Sequence, residues 1–155
     1  MCSYLSLPGN TEVVNLLRIH ASECDAPGEL EETLDGVLDR WIFERTLLPG
    51  ERSALFESSS RIQKEYGAAD RICYFYTRVL GPHNQPGEVA RVELPRWVAD
   101  DEALVALVHS VVLSECDKGD GYPMILSEAH ERAVIRAKEK EVFYQMMEHT
   151  LRGVG

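Results

Sequence analysis

The chain has 155 residues, of which 26 are acidic and 16 are basic, giving a formal net charge of -10 at neutral pH. Its length suits one domain with a sizeable core, and its 45% hydrophobic and 27% charged residues exclude a fibrous repeat or a wholly disordered chain. The negative charge disfavours nucleic acid as a partner, because polyanions are repelled unless basic groups cluster or metal ions intervene.

Three features of the sequence argue against a membrane or secretory location. The longest apolar stretch, residues 103–113, is shorter than the roughly 20 residues that cross a bilayer. The N-terminus has neither the basic segment nor the sustained apolar segment of a signal peptide. The four cysteines have no CxxC spacing, which fits reduced thiols better than disulfides or a zinc site. We therefore expect a cytoplasmic protein that does not bind membranes.

The first third of the chain predicts a strand, a turn and two helices. Residues 3–7 favour a short strand, and the following Pro-Gly-Asn turns the chain into a helix that begins near Thr11. Apolar residues recur at three- and four-residue steps over 34–48, which predicts an amphipathic helix with Trp41 in the core. The acidic run at 23–35 is typical of a solvated connection between these helices.

The rest of the chain predicts a β-hairpin followed by three helices. Residues 71–80 and 88–95 are rich in β-formers, and the turn residues between them favour an antiparallel pair. A strongly apolar segment predicts a helix over 101–116, and Pro123 suits the first position of another. The last helix has an apolar stripe that we expect in the core (Val142, Phe143, Met146, Met147, Leu151). The sequence therefore indicates a chain that contains both strands and helices.

The stretch GDGYPMILSEAH, residues 119–130, carries the best candidates for a reactive site. Tyr122 lies at the predicted helix entrance, and His130 lies two turns later on the side that the pattern turns inward. The two side chains can therefore face one cleft, where a histidine can bind a metal or transfer a proton. Alternatively both are core residues, as a lone histidine on an apolar helix face commonly is. Zinc-protease and phosphate-loop motifs are excluded, since Val134 replaces the second histidine and no Lys-Ser or Lys-Thr follows the glycine turn.

Five stretches follow one another in the chain: YLSLPGNTEVVNLLR at 4–18, LLPGERSALFESSS at 47–60, YFYTRV at 74–79, ARVELPRWVA at 90–99 and GYPMILSEAHERAV at 121–134. In this order they resemble the C-terminal part of NurA-type DNA-repair nucleases. The last stretch is similar to the family signature YPxxLxxAH and carries its residues in matching places (Tyr122, Pro123, Leu126, Ala129, His130). The resemblance spans nearly the whole chain.

The resemblance implies the C-terminal portion of a ribonuclease-H-like α/β nuclease fold. It implies a Mn²⁺-dependent nuclease, with Mg²⁺ as an alternative, that cleaves single-stranded DNA at ends and internally. It also implies a homodimer that works with a HerA-type hexameric ATPase in DNA end resection and double-strand-break repair. By this likeness His130 would bind or adjoin the metal or handle a proton, and Tyr122 would position that site or the scissile phosphate.

The chain departs from the family pattern in its acidic residues. The family's metal ligands lie in an N-terminal half with an Asp-Gly-Ser strand motif, which has no counterpart in residues 1–155. Asp35 precedes a glycine, but it lies on a predicted helix and follows the first matching stretch, so it is a poor ligand candidate. A metal-dependent phosphodiesterase needs several carboxylates. We therefore expect a partial NurA-like domain, and the alternative is a non-catalytic interaction module or degenerate fragment that keeps dimer or HerA-binding surfaces. Arg52, Arg91 and Arg96 are the candidate DNA contacts.

Overall fold

The computed structural model describes residues 2–23, 33–133 and 137–152, and the chain forms two compact units, Met1–Pro123 and Met124–Gly155. The strands are β1 (Ser3–Leu5), β2 (Phe56–Glu57), β3 (Ile72–Leu80) and β4 (Pro86–Pro95). The α-helices are α1 (Glu12–Glu23), α2 (Asp39–Thr46), α3 (Arg96–Ala99), α4 (Glu102–Lys118), α5 (Met124–Ala133) and α6 (Ala137–Arg152). None of these helices is long and apolar enough to cross a membrane.

The first unit is built on a four-stranded antiparallel sheet with the strand order β1-β4-β3-β2. Its centre is the predicted hairpin of β3 and β4, in which Phe75 pairs with Val92 and Tyr76 pairs with Arg91. Aromatic and β-branched side chains dominate β3, as expected for a pleated surface that packs on neighbours. The prediction of a mixed α/β fold with an antiparallel hairpin is therefore confirmed.

Helices cover both faces of this sheet. Helices α3 and α4 pack on one face and form an apolar cluster with the strands (Cys73, Phe75, Val79, Val92, Leu94, Val98, Val105, Val112, Cys116). Helices α1 and α2 cover the other face, where Val13 and Phe43 pack against Tyr74, Tyr76 and Val89. The two central strands are thus buried on both sides, although β4 alternates apolar and charged residues like a half-exposed strand.

The start of α4 shows why its sequence forms a helix at this position. The Asp101 carboxylate accepts hydrogen bonds from the backbone N–H groups of Ala103 and Leu104, which otherwise have no helical partner. The buried residues Val105 and Val112 then lie on the side that meets the sheet. The helix predicted over 101–116 is therefore confirmed.

The second helix, α2, is shorter than the helix predicted over 34–48. The segment 34–48 becomes helical only at α2, because Gly36 has a left-handed φ of 70° and Leu38 is extended. Trp41 was predicted in the core but is 43% exposed, and α2 buries Asp39 and Phe43 instead. The acidic run at 23–35 lies mostly outside the described residues.

The second unit contains α5 and α6. Helix α5 has no buried residue, and the apolar stripe of α6 that was predicted in the core is exposed at its described side chains (Val142, Phe143, Met146, Met147). The side chain of Leu151 lies outside the description. An amphipathic stripe is buried only where another element covers it, and the period of the sequence cannot reveal whether such an element is present.

Candidate active site

The turn that follows α4 fixes the position of Tyr122. The N–H of Gly121 donates to the carbonyl of Cys116 at 2.8 Å, as in the common Schellman ending of a helix. Asp120 and Gly121 have left-handed φ values of 57° and 104°. The N–H of Tyr122 then bonds the carbonyl of Gly119 at 3.3 Å. The glycine-rich sequence thus makes a tight turn that delivers Tyr122 just before α5 begins.

Tyr122 lines a shallow hollow of about 270 Å³, which we call the Tyr122 hollow. Its other lining residues come from the β3–β4 connection, from the start of β4 and from the turn after α4 (Gly81, Pro82, Gly87, Glu88, Asp120, Gly121). A Cβ atom on Gly87 would lie 2.7 Å from the amide nitrogen of Gly81, and one on Gly121 would lie 3.2 Å from the Gly81 Cα. Glycine is therefore needed where these two turns meet, because only bare backbone fits.

A second tyrosine supports the wall of the Tyr122 hollow. The rings of Tyr4 and Tyr122 meet edge to face, with centroids 5.8 Å apart and planes at 88°. The Tyr4 hydroxyl donates to Oε1 of Glu88 at 2.9 Å, and the Ser6 hydroxyl donates to Oε2 at 2.7 Å. Both carboxylate oxygens are therefore held by β1 and the residue after it, while Tyr122 remains 39% exposed.

Burial keeps the Tyr4 hydroxyl protonated. Burial, with added repulsion from Cys116 and Glu88, raises the pKa of Tyr4 far above its ordinary value. Burial also raises the pKa of the Cys116 thiol. The thiol contacts the Tyr4 oxygen at 3.8 Å, so the chain of donors runs from Cys116 through Tyr4 to Glu88. Tyr4 is thus a constant donor to Glu88 across the physiological pH range.

His130 lies in the last turn of α5, within the second unit, whereas Tyr122 belongs to the first. The sequence pattern predicted that the imidazole points into the interior, but it is exposed, as are the other described residues of α5. The only ion pair of this helix among the described residues joins Arg132 to Glu128 at 3.7 Å and leaves the imidazole accessible. The meeting of His130 and Tyr122 in one cleft stays a prediction.

Arg91 is part of the core in this structure. Its side chain is 2% exposed, lies 3.5 Å above the ring of Tyr74, and pairs with Glu12 at 3.0 Å and Glu93 at 2.9 Å. Burial alone would raise the pKa of Glu12. The charge of Arg91, together with hydrogen bonds from Arg91, Tyr74 and Ser58, outweighs this effect and holds the pKa of Glu12 below its ordinary value. Arg91 could meet a DNA phosphate only if both ion pairs opened.

Arg96 and Arg52 are more accessible than Arg91, but they lie on different elements. Arg96 is 42% exposed at the start of α3 and pairs with Glu57 at 2.6 Å and with Asp100 at 3.7 Å. Arg52 lies beside β3, where its residue forms an isolated bridge with Thr77. The three arginines predicted as DNA contacts thus come from different parts of the chain, and of the three only Arg91 is buried.

An acidic side chain that the sequence did not single out joins α1 to α2. Asp39 is fully buried and accepts bonds from the backbone N–H groups of Val13 and Val14 at 3.1 and 2.9 Å and from the Tyr76 hydroxyl at 2.8 Å. It caps α1 from a neighbouring helix, at the helix end that favours a negative charge. A lone aspartate in a predicted helix gives no signal of this long-range role.

The family comparison bears on the stretch that contains Tyr122 and His130. The family model of the NurA domain matches residues 4–135, which include the sheet except Ser3, helix α4 and the whole stretch GYPMILSEAHERAV at 121–134. The chain belongs to the NurA family. No curated protein and no solved structure matched the chain significantly. Because NurA domains are nuclease domains, the family implies DNA as substrate and suggests a divalent metal.

The described residues do not by themselves form a metal site of the kind that a NurA nuclease suggests. Among residues 2–23, 33–133 and 137–152, no three histidine, cysteine or acidic side chains are grouped so that they could hold a metal ion. Glu88 and Asp120 both line the Tyr122 hollow, but the Glu88 oxygens already accept two hydroxyl bonds. Asp35 lies in a turn, 3.1 Å from Arg18. The donor set of this part of the chain thus does not fit a metal ion without further ligands.

Proposed function

We propose that this chain is the C-terminal portion of a metal-dependent NurA nuclease that cleaves single-stranded DNA at ends and internally. The observation that carries the proposal is the family match over residues 4–135. Within this range, Tyr122 is held in the wall of the Tyr122 hollow. The antiparallel sheet with helices on both faces supports the finer proposal that it is part of a ribonuclease-H-like fold. The acidic metal ligands would come from a complementing N-terminal half.

In this proposal the chain contributes two side chains to the nuclease site. The half-exposed Tyr122 donates a hydrogen bond to a phosphate oxygen and so positions the scissile group. His130, accessible on α5, binds or adjoins the metal or transfers a proton during hydrolysis. Tyr4 and Glu88 do not touch the substrate and instead hold the wall against which Tyr122 rests.

The same proposal extends to the metal, the partners and the cellular role. The metal would be Mn²⁺, with Mg²⁺ as the second choice, and it would help to overcome the repulsion between DNA and a chain of net charge -10. A homodimer would receive DNA from a HerA-type hexameric ATPase in the cytoplasm, during end resection and double-strand-break repair. These statements rest on the resemblance of the five sequence stretches to NurA nucleases.

Cleavage by the complemented protein tests this function. The full chain is mixed with the acidic N-terminal half of a NurA nuclease, and release of fragments from labelled single-stranded DNA is followed with Mn²⁺. We expect His130→Ala to lower the cleavage rate at least about 100-fold, which is the usual contribution of a proton-transfer group. His149→Ala, on the exposed surface of α6, is the matched control and should cleave like the parent chain. Equal rates for the two variants would contradict the proposal.

The exposed apolar side chains of α6 favour a second candidate function, an interaction module without catalysis. Val142 and Met146 lie one turn apart, as do Phe143 and Met147, and all four are exposed. On this account the chain binds a HerA-type ATPase and cleaves no DNA with any metal or complementing half. The double variant Val142→Asp with Met146→Asp would then lose ATPase binding, which gel filtration measures. The nuclease proposal instead requires that the parent chain and a complementing half together cleave DNA.

A further inference from the structure

Two basic side chains, Arg52 and His109, lie on the α4 side of the sheet, within the first unit. Residues paired directly across an antiparallel bridge project their side chains to the same face, and Arg52 is paired in this way with Thr77. The Arg52 guanidinium carbon lies 5.9 Å from the centre of the Phe75 ring. The His109 imidazole of α4 meets the same ring edge to face at 5.8 Å. Arg52 and His109 are therefore neighbours around one phenylalanine.

The hydrogen bonds of Thr77 assign the protons of His109. The single hydroxyl proton of Thr77 is donated to the carbonyl of Glu51 at 3.0 Å, so its oxygen is left as an acceptor. His109 Nε2 lies 3.0 Å from that oxygen and must therefore carry the hydrogen. The neutral imidazole consequently keeps its lone pair on Nδ1, which has no protein partner among the described residues.

Neither basic group is neutralised in the part of the chain that the structure describes. Arg52 donates one N–H bond, to the carbonyl of Ser53 at 3.2 Å, and forms no ion pair with a described carboxylate. Burial and then the nearby Arg52 charge lower the pKa of His109, and no carboxylate acts in the opposite direction. Both residues are half-buried, so solvent reaches them. Such an unneutralised pair stands out in a chain with ten more acidic than basic residues, 26 against 16.

We propose that Arg52 and His109 form an anion site that binds a backbone phosphate of single-stranded DNA. The remaining N–H groups of Arg52 suit phosphate oxygens, which guanidinium groups bind in pairs. Nδ1 of His109 takes up a proton on binding and donates it in a hydrogen bond to the same phosphate. The choice of DNA as the source of the phosphate rests on the proposed nuclease function, whereas the chemistry of the anion site does not.

Proton uptake makes this site sensitive to pH. A phosphate favours the imidazolium over the neutral imidazole, so binding must raise the pKa of His109 from its lowered value. Affinity should therefore increase as pH falls through the titration range of the free histidine. Arg52 is the charged group that lowers the pKa of His109. On β3, His109 contacts the uncharged side chains of Phe75 and Thr77.

Titration of the histidine ring signals by NMR with inorganic phosphate tests the anion site without any cleavage. We expect saturating phosphate to raise the apparent pKa of His109 by about one unit, which equals about tenfold tighter binding to the protonated form. The ring signals of His20, which lies on α1, should shift much less. Arg52→Ala should abolish the shift, and the exposed Arg61→Ala, which removes the same charge, should leave it unchanged. An unchanged pKa, or an equal rise at His20, would overturn the proposal.

Binding of a fluorescent thymidine oligonucleotide separates DNA from free phosphate as the ligand. His109→Gln should remove the increase in affinity between about pH 8 and pH 5 that the parent chain shows. Arg52→Ala should reduce the slope of log affinity against log salt by about 0.7, the value for one contact with a single strand. If phosphate shifts His109 but neither variant changes DNA binding, the assignment to DNA is wrong. If phosphate shifts His109 and both variants alter DNA binding, but the complemented chain does not cleave DNA, only the nuclease proposal is refuted.

Discussion

The two faces of the central sheet are held by different physical interactions. The face under α3 and α4 is mainly apolar, with Phe75, Val79 and Val92 fully buried. Its polar exception is Thr77, which contacts His109. The face under α1 and α2 also contains aromatic rings, but a buried carboxylate and a buried guanidinium lie among them. Apolar packing tolerates many shapes, whereas a buried charge must find its partners at fixed distances. The larger apolar cluster lies on the first face, and the buried charges of the second face specify where α1 and α2 sit.

The polar face should be the more sensitive to loss of one partner. Arg91→Ala leaves Glu12 and Glu93 facing each other without a cation, so we expect unfolding in urea to show a loss of about 4 kcal/mol. Arg96→Ala, which breaks exposed ion pairs, is the control and should cost less than about 1 kcal/mol. Similar losses in the two variants would mean that the buried network adds no special stability.

The apolar face should respond to a cavity. Leu94→Ala removes a buried side chain from the cluster under α4, and we expect a loss of about 3 kcal/mol in the free energy of unfolding. Because no charge changes, the loss should be the same at neutral and at mildly acidic pH. A loss that grows on acidification would show that the two faces are coupled.

The comparison also explains which parts of the fold the sequence could predict. Strand β3, strand β4 and helix α4 were predicted because their side-chain periods and turn residues act locally. The burial of Arg91 was not predictable, since a strand that alternates apolar and charged residues is read as half-exposed. Its partner Glu12 lies 79 positions away in the chain, so no local pattern records the pair. The prediction that Trp41 lies in the core was wrong for a related reason. The period of α2 cannot reveal which side of the helix the sheet covers.

A single hydrogen bond on the polar face should have a smaller effect. Tyr76→Phe removes the hydroxyl that donates to Asp39 but keeps the ring that stacks on Phe43 at 4.6 Å. We expect a loss of about 1 kcal/mol in urea unfolding, the net value of one buried hydrogen bond. Asp39 also caps α1, so Asp39→Ala should cost more than Tyr76→Phe. The reverse order would argue against the capping role.

Acid should weaken the polar face through Glu12. The pKa of Glu12 in the folded chain lies below its ordinary value of 4.5. As pH falls, Glu12 therefore takes up a proton in the unfolded chain before it does so in the folded chain. The stability contributed by the ionised carboxylate is therefore complete above about pH 4.5 and is lost as pH falls towards the folded pKa. Glu12→Gln should flatten the pH dependence of stability in this window, which urea unfolding at several pH values measures. An unchanged slope would show that Glu12 does not govern it.

The candidate site was only partly predictable for the same physical reason. Tyr122 and the turn before it follow from Gly119 and Gly121, and the resemblance to NurA nucleases singles out His130. Tyr4 and Glu88 could not be connected to the site, because they come from two strands joined only in the folded sheet. His109 gave no signal either, since its neighbours in the chain are those of an ordinary apolar helix.

We propose that Tyr122 and His130 serve one metal-dependent nuclease site, and the distance of each ring from bound Mn²⁺ is the first measurement to make. This ion broadens NMR signals of nearby nuclei, so the rings of both residues can be observed in the chain complemented by an acidic N-terminal half. We expect low Mn²⁺ to broaden the ring signals of Tyr122 and His130 together and to leave those of His109 sharp. Broadening of only one of the two site residues, or of neither at a concentration that supports cleavage, would contradict it.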